Sequence, residues 1–218
     1  MAALDTFLAR LLPRAMGAED PVARQALVDA AIDFCERTLV VQQVLTPINV
    51  VAAQASYTLS LSTDLAVAQV RRAWYLGAPL GPVADDSIGS PLAYLSDVGD
   101  GEVEAETGPP SVCLWHENKL RLYPIPTENK TEGLVVRVAV KPTTDAAALP
   151  DELLTHWREA IVHGALERVL NMRGSAHYDP QAADRSGTQF AAAVAKAKAM
   201  ARTGRVPGEL SVTMRPFA

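Results

Sequence analysis

The sequence lacks the features that mark secreted and membrane proteins. It contains only two cysteines among 218 residues, and no apolar run approaches the roughly 20 residues that a membrane span requires. Asp5 and Arg10 interrupt the N-terminus, where a secretory signal would be continuously apolar. We therefore expect a soluble chain that is made in a reducing compartment. Cys35 and Cys113 are predicted to be buried free thiols that are not bonded to each other.

Basic residues are fewer than acidic ones. Lys and Arg together number 20 against 25 Asp and Glu, which gives a formal net charge of -5. A protein that grips DNA phosphates normally presents a basic face, so this balance argues against a sequence-reading DNA binder. This net negative charge is compatible with DNA that passes close to the protein without binding to it.

Catalytic signatures are missing as well. The sequence has no phosphate-binding glycine loop, nucleophile elbow, dinucleotide fingerprint or Cys/His zinc pair, so we predict that the protein is not an enzyme and uses no cofactor. One pattern keeps an alternative open, because His156, Glu159 and His163 share a polar helix stripe with Glu152 and Glu167. Such a stripe can bind a metal, but it is also typical of a solvated helix face. The alternative is therefore a metal-binding helical enzyme.

Helical patterns occupy both ends of the chain. Near the N-terminus, apolar spacing predicts a helix over residues 3–12, and a second one that begins at Asp20 and runs to about Thr38. Near the C-terminus, one helix should begin at Leu149-Pro150-Asp151 and end at Met172-Arg173-Gly174. Asp179-Pro180 should start the last helix, whose many alanines favour close helix packing.

Between the helical ends, the pattern changes to short β-like runs separated by turn residues. The predicted strands are Val44–Val51, Ala55–Leu59, Val67–Leu76, Val112–Trp115, Lys119–Tyr123 and Leu134–Val140. In the last of these, Leu134 and every second residue to Val140 should face the core, with Val135, Arg137, Ala139 and Lys141 on the other face. Glu117-Asn118 should close a hairpin.

These elements predict an α+β fold. Residues 1–39 and 149–203 would form a helical bundle, and residues 40–142 an inserted antiparallel β-sheet or small β-sandwich. Residues 204–218 would form an extended C-terminal arm. That arm carries residues suited to binding a partner, namely Arg205, Leu210, Val212, Met214, Arg215 and Phe217.

An acidic run precedes the predicted hairpin and contains no basic residue. It comprises Asp97, Asp100, Glu102, Glu104 and Glu106. A solvated surface loop is the simplest interpretation. If the chain formed a ring, the repeated loop would instead create a negative, channel-facing zone past which DNA could slide.

An ordered series of segments resembles a known family. LPDELLTHWREAIVHGALERVL is followed by a Gly, by an aromatic-Asp-Pro corner, and by F-x-x-A-V-x-K-A-K. The opening DTFLARLLPRAMGAEDPVARQALVDAAIDFCERTLV and the middle pieces ASYTL and GAPL add to the series. Together they resemble the head-to-tail adaptor proteins of tailed bacteriophages, also called head–tail connector or tail tubular protein A-like proteins.

The resemblance implies a structural virion protein and not an enzyme. It implies a homo-oligomeric ring of twelve copies beneath the phage portal protein, joining the head to a tail tube, nozzle or terminator protein. DNA would pass through the ring without sequence-specific binding, and no membrane would be involved. The chain would be synthesised in the host cytoplasm and reside at the head–tail interface of the virion. A tail completion or terminator protein of the same virion is a further alternative.

Overall fold

The computed structural model describes residues 1–82, 107–116 and 118–203. These residues form helices and mainly antiparallel sheets, which confirms the predicted α+β class. The chain divides into two compact units. A helical unit contains Met1–Val40 and the chain from Pro150 onward, and a β unit contains Val41–Leu149.

The helical unit begins with two helices whose ends follow from local sequence. After a short strand, β1 (Ala2–Ala3), α1 spans Asp5–Leu11 and continues as a 3₁₀ turn over Leu12–Arg14. The α-helix therefore ends one residue before the predicted bound at residue 12, and Pro13 lies in the following 3₁₀ turn, whose start tolerates proline. Helix α2 spans Asp20–Thr38 as predicted, and Leu39 ends it in the left-handed conformation.

Two more helices complete this unit. Helix α3 spans Asp151–Leu170, and it ends two residues before the predicted stop. Helix α4 spans Pro180–Thr203. The Asp179 carboxylate accepts a hydrogen bond of 3.0 Å from the Ala182 N–H, so Asp179 caps α4 as its position before proline predicts.

The core of the helical unit forms around α3, which packs against α1, α2 and α4. Aromatic rings from three helices meet there, with Phe34 5.4 Å from Trp157 and 6.1 Å from Phe190 between ring centroids. Gly164 permits the approach of Phe190, because a Cβ at residue 164 would lie 2.8 Å from the Phe190 ring. Because other helices cover α3 on several sides, apolar residues occupy a wide arc of its surface.

The alanines of α4 behave differently from the prediction of close packing. The buried stripe consists of Ala183, Ser186, Phe190, Val194 and Ala197, at the spacing of one helix face. Ala191, Ala192, Ala195 and Ala199 are exposed. Most alanines of the segment Ala191–Ala199 therefore support helix formation by their intrinsic propensity and do not pack in the core.

The first sheet of the β unit is built on one long central strand. Its strands are β2 (Gln42–Val44), β3 (Ile48–Val50), β5 (Leu65–Tyr75), β6 (Ala78–Pro79) and β10 (Lys130–Pro142). Strand β10 pairs antiparallel with β5 on one edge and with both β2 and β3 on the other. The prediction of a single strand over Val44–Val51 is wrong, because the chain breaks into two short strands around Pro47.

The second sheet has the strand order β4–β9–β8–β7. Its strands are β4 (Ser56–Thr58), β7 (Gly81–Pro82), β8 (Val112–His116) and β9 (Lys119–Tyr123). A further short strand, β11, spans Ala148–Leu149 and does not belong to this sheet. β8 and β9 form the predicted hairpin, in which Asn118 adopts a φ of 60°. Asparagine tolerates this left-handed conformation better than most residues.

Alternation along β10 follows the prediction with one exception. Leu134, Val136, Val138 and Val140 are all buried, whereas Arg137 is exposed. Ala139, which was predicted to lie on the other face, is also buried, with 0% exposure. Its pairing places this small residue between Gln42 and Gln69 on the neighbouring strands.

Candidate interaction surfaces

Two of the predicted sites lie outside the described residues. They are the acidic run of Asp97, Asp100, Glu102, Glu104 and Glu106, and the arm residues Arg205, Leu210, Val212, Met214, Arg215 and Phe217. The polar stripe of α3 and the outer face of the first sheet can be described in detail.

Glu159, at the centre of the polar stripe, binds two arginines from the N-terminal segment. Arg10 donates a hydrogen bond to one carboxylate oxygen, and Arg14 approaches the other at 3.4 Å. Burial alone would raise the pKa of Glu159, but the two guanidinium groups outweigh it and hold this pKa below its usual value. The stripe therefore holds the N-terminal segment against α3.

His163 lies one turn further along the same stripe. Its Nδ1 atom is buried and has no hydrogen-bond partner among the described residues. Burial lowers the pKa of His163, and the charge of Arg14 lowers it further, against a smaller opposing effect of Glu159. Both effects favour the neutral form of the imidazole.

The metal-binding alternative finds no support in these positions. Across residues 1–82, 107–116 and 118–203, no three His, Cys, Asp or Glu side chains come together in a group that could hold a metal ion. Glu159 is engaged by arginines, and His156 is exposed at the surface of α3. Glu159 contacts the N-terminal segment, whereas the Glu167 carboxylate lies beside Gly187 of α4, so these members of the stripe do not converge on one site.

A second charged cluster lies where α2, α3 and α4 meet. Arg37 and Arg168 approach one oxygen of Asp33 at 3.5 and 3.2 Å. Both guanidinium groups also lie over the Phe190 ring, at 5.8 and 5.9 Å from its centroid. The two positive charges have a carboxylate and an aromatic face as partners, so the cluster is internally compensated.

The outer face of the first sheet carries a third cluster, which consists of Arg71, Arg72 and Arg137. Arg72 on β5 lies directly opposite Arg137 on β10. The register shifts next to this pair, so that Arg71 and Arg72 together oppose Arg137 in a β-bulge. All three side chains are exposed, and no described residue forms an ion pair with any of them.

Apolar groups accompany these arginines. The Arg137 guanidinium lies 5.8 Å from the centroid of the Trp74 ring, and Val44, which pairs with Arg137, is 54% exposed. Beside the cluster is a cavity of about 200 Å³. Among the described residues, its lining consists of Val70, Arg71, Arg72, Ala73, Pro79, Leu80 and Cys113.

Sequence reasoning placed Arg137 on the outer face of its strand but did not identify the cluster. The missing information is the pairing of β5 with β10, together with the bulge that brings Arg71 to the same place. The adjacent Arg71-Arg72 in an otherwise apolar strand was the available signal, because two neighbouring residues normally point to opposite faces.

None of the described helices combines the length and the apolar content that crossing a lipid bilayer requires.

No curated protein matches the chain. The family model described as SU10 adaptor protein matches residues 2–213. This match includes both described units and nearly every residue of the sequence, so the chain belongs to the SU10 adaptor protein family, a family of structural bacteriophage adaptors.

Proposed function

We propose that this chain is the head-to-tail adaptor of a tailed bacteriophage. Twelve copies would form a ring beneath the portal protein, connect the capsid to the tail, and continue the DNA channel. The observation that carries this proposal is the family match over residues 2–213, a range that includes the segments that resemble adaptors. The protein would be synthesised in the bacterial host cytoplasm and reside at the head–tail interface of the virion.

The mechanism is assembly, with no bond-making chemistry. Helices would supply the contacts between subunits, and the exposed alanine face of α4 is suited to this role. Ala191, Ala192, Ala195 and Ala199 present small side chains, which let a neighbouring backbone approach closely at little cost in side-chain entropy. The β-rich residues 40–142 would meet tail components, such as a tube, nozzle or terminator protein.

The arm of residues 204–218 would reach the portal or an adjacent adaptor. Arginine and aromatic anchors carry much of the energy of protein interfaces, and Arg215 and Phe217 fit that pattern. The acidic residues between Asp97 and Glu106 would face the channel. Their negative charge would repel the DNA phosphates, so that DNA would pass without being bound.

A tail completion or terminator protein of the same virion is the second candidate function. It shares the family's expected ring and channel but would bind the tail first and the head later. The order of assembly therefore separates the two functions, since an adaptor must bind a DNA-filled head that has no tail.

The test is to mix purified chain with DNA-filled, tailless heads and, separately, with isolated tails. We expect rings on the portal vertex of the heads, visible by electron microscopy, and no binding to the tails. Binding to the tails alone would establish the terminator function instead. Binding to neither particle would contradict both.

A further inference from the structure

The arginine cluster of the first sheet is unfavourable for the chain that contains it. Like charges directly opposite on paired strands are destabilising, and the bulge adds Arg71 to the Arg72–Arg137 pair. The helical-unit cluster at Asp33 shows how this chain compensates arginines with a carboxylate and a ring. In the described part of the β unit, Arg72 has no such carboxylate partner. Within the described residues, the arrangement therefore does not contribute to internal stability.

The cluster is nevertheless partly preorganised. Arg137 is held against Trp74, and Arg71 donates a hydrogen bond of 3.1 Å to Gln69. Fixing guanidinium groups before a partner arrives reduces the entropy that is lost on binding. Exposed, positioned arginines that have no carboxylate partner among the described residues are suited to an anionic partner, because a guanidinium can bind a carboxylate through two parallel hydrogen bonds.

Two observations favour a protein partner over DNA. The cavity beside Arg71 and Arg72 is lined mainly by apolar side chains, including Val70 and Leu80, and it could receive an aliphatic side chain. Trp74 and Val44 add apolar surface next to the positive charges. A DNA backbone presents phosphates and sugars but no aliphatic side chain that could enter the cavity, and the net charge of -5 disfavours its approach.

We propose that the outer face of the first sheet, at Arg71, Arg72, Arg137 and Trp74, is a docking surface for an acidic protein segment. The segment would place carboxylates on the guanidinium groups and an aliphatic side chain in the neighbouring cavity. This surface deepens the proposed function, on which it rests for the expectation that the partner is a virion protein. It assigns a specific contact to the β unit.

The test uses the full-length chain and a fluorescent polyglutamate peptide that carries one leucine. The key variant is Arg72→Glu, which places a carboxylate opposite Arg137. The variant should fold, because an opposite-charge cross-strand pair replaces a repulsive one. The control is Lys119→Glu, which makes the same charge change at an exposed position of the second sheet.

We expect fluorescence anisotropy to show peptide binding to the native chain. Arg72→Glu should weaken that binding about tenfold while its melting temperature stays equal or rises. Lys119→Glu should change the dissociation constant less than about twofold, since it alters only the long-range field. Removing the leucine from the peptide should also weaken binding to the native chain.

Several outcomes would overturn the docking surface. They are no binding of the peptide, equal weakening by both variants, or tighter binding of a DNA duplex of matched charge that Arg72→Glu abolishes. The last outcome would assign the cluster to nucleic acid. Attachment of the chain to tailless heads is measured separately, so the adaptor function can hold even if the docking surface fails.

Discussion

At the scale of single residues, His163 illustrates how the helical unit responds to pH. Its Nδ1 atom is buried with no hydrogen-bond partner in the described part of the chain, where Arg14 and Glu159 are the charged groups that influence it. Burial and Arg14 make protonation harder in the folded chain than in the unfolded chain. Protons therefore bind the unfolded state preferentially as the pH falls below 6.5, the ordinary pKa of the group.

The expected result is a loss of stability on acidification that depends on this side chain. Between the depressed pKa of His163 and 6.5, the free energy of unfolding should rise with pH and then level off above that value. His163→Gln should remove this part of the pH dependence, as measured by urea unfolding from about pH 5 to about pH 8. His156→Gln, at an exposed position of the same helix, is the control and should retain it. An unchanged profile in His163→Gln would contradict this assignment.

The two cysteines give a second prediction at this scale. Both thiols are free and buried, and burial raises the pKa of Cys35 to about 12 and that of Cys113 to about 11. Since the thiolate is the reactive form, both should alkylate slowly in the native protein, with Cys113 the faster. Under denaturing but non-reducing conditions, intact mass should show two modified thiols. Finding no modified thiol there would establish a disulfide.

At the scale of elements, two helical glycines in close contacts should respond in opposite ways to the same substitution. A Cβ at Gly164 would lie 2.8 Å from the buried Phe190 ring and 3.1 Å from the Cβ of Ala30. A Cβ at Gly187 would lie 2.9 Å from the Glu167 carboxylate, which is the far end of a flexible side chain. The ring has little room to move, whereas the carboxylate can rotate away.

Gly164→Ala should therefore destabilise the chain. Overpacking costs about 1–3 kcal/mol, and the better helix propensity of alanine returns at most about 1 kcal/mol. Gly187→Ala serves as the matched control and should be neutral or stabilising by up to about 1 kcal/mol. Urea denaturation of both variants checks this, and shifts of the same sign would show that the two helix contacts are equivalent.

The pairing of the strands could not be predicted from the local sequence pattern. Period-two alternation correctly predicted the buried face from Leu134 to Val140, because one face of the strand is covered. It could not predict that β10 pairs with β5 and, on its other edge, with both β2 and β3. Such pairing joins residues far apart in sequence, and no local propensity encodes it. The meeting of Arg72 and Arg137 depends on this pairing.

At the scale of the whole molecule, the remaining proposal concerns the C-terminal arm. Ordering an extended segment costs about 1–2 kcal/mol per residue in backbone entropy, so a partner surface is needed to offset it. Deletion of residues 206–218 should leave the melting temperature of the chain nearly unchanged but abolish attachment to DNA-filled heads. A second variant, Leu210→Ala combined with Phe217→Ala, removes the apolar anchors but keeps the full length.

Both the deletion and the double substitution should fail to attach, because the apolar anchors are lost in each. Normal attachment by the truncated chain would show that the arm is not needed for attachment to heads. A large fall in melting temperature would instead mean that the arm contributes to the core. Thermal denaturation and sedimentation of the variants with heads distinguish these results.

The sequence by itself determined the α+β class, the starts of α2 and α4, the hairpin at Asn118 and the family. These features depend on residues that are neighbours in the chain, such as Asp20-Pro21 and Asp179-Pro180, or on the order of segments. Only the tertiary structure decided that Glu159 binds Arg10 and Arg14, that the α4 alanines are largely exposed, and that three arginines share one sheet face. Those outcomes depend on which distant segments pack together, and long-range packing decides them because local preferences are too weak to specify it.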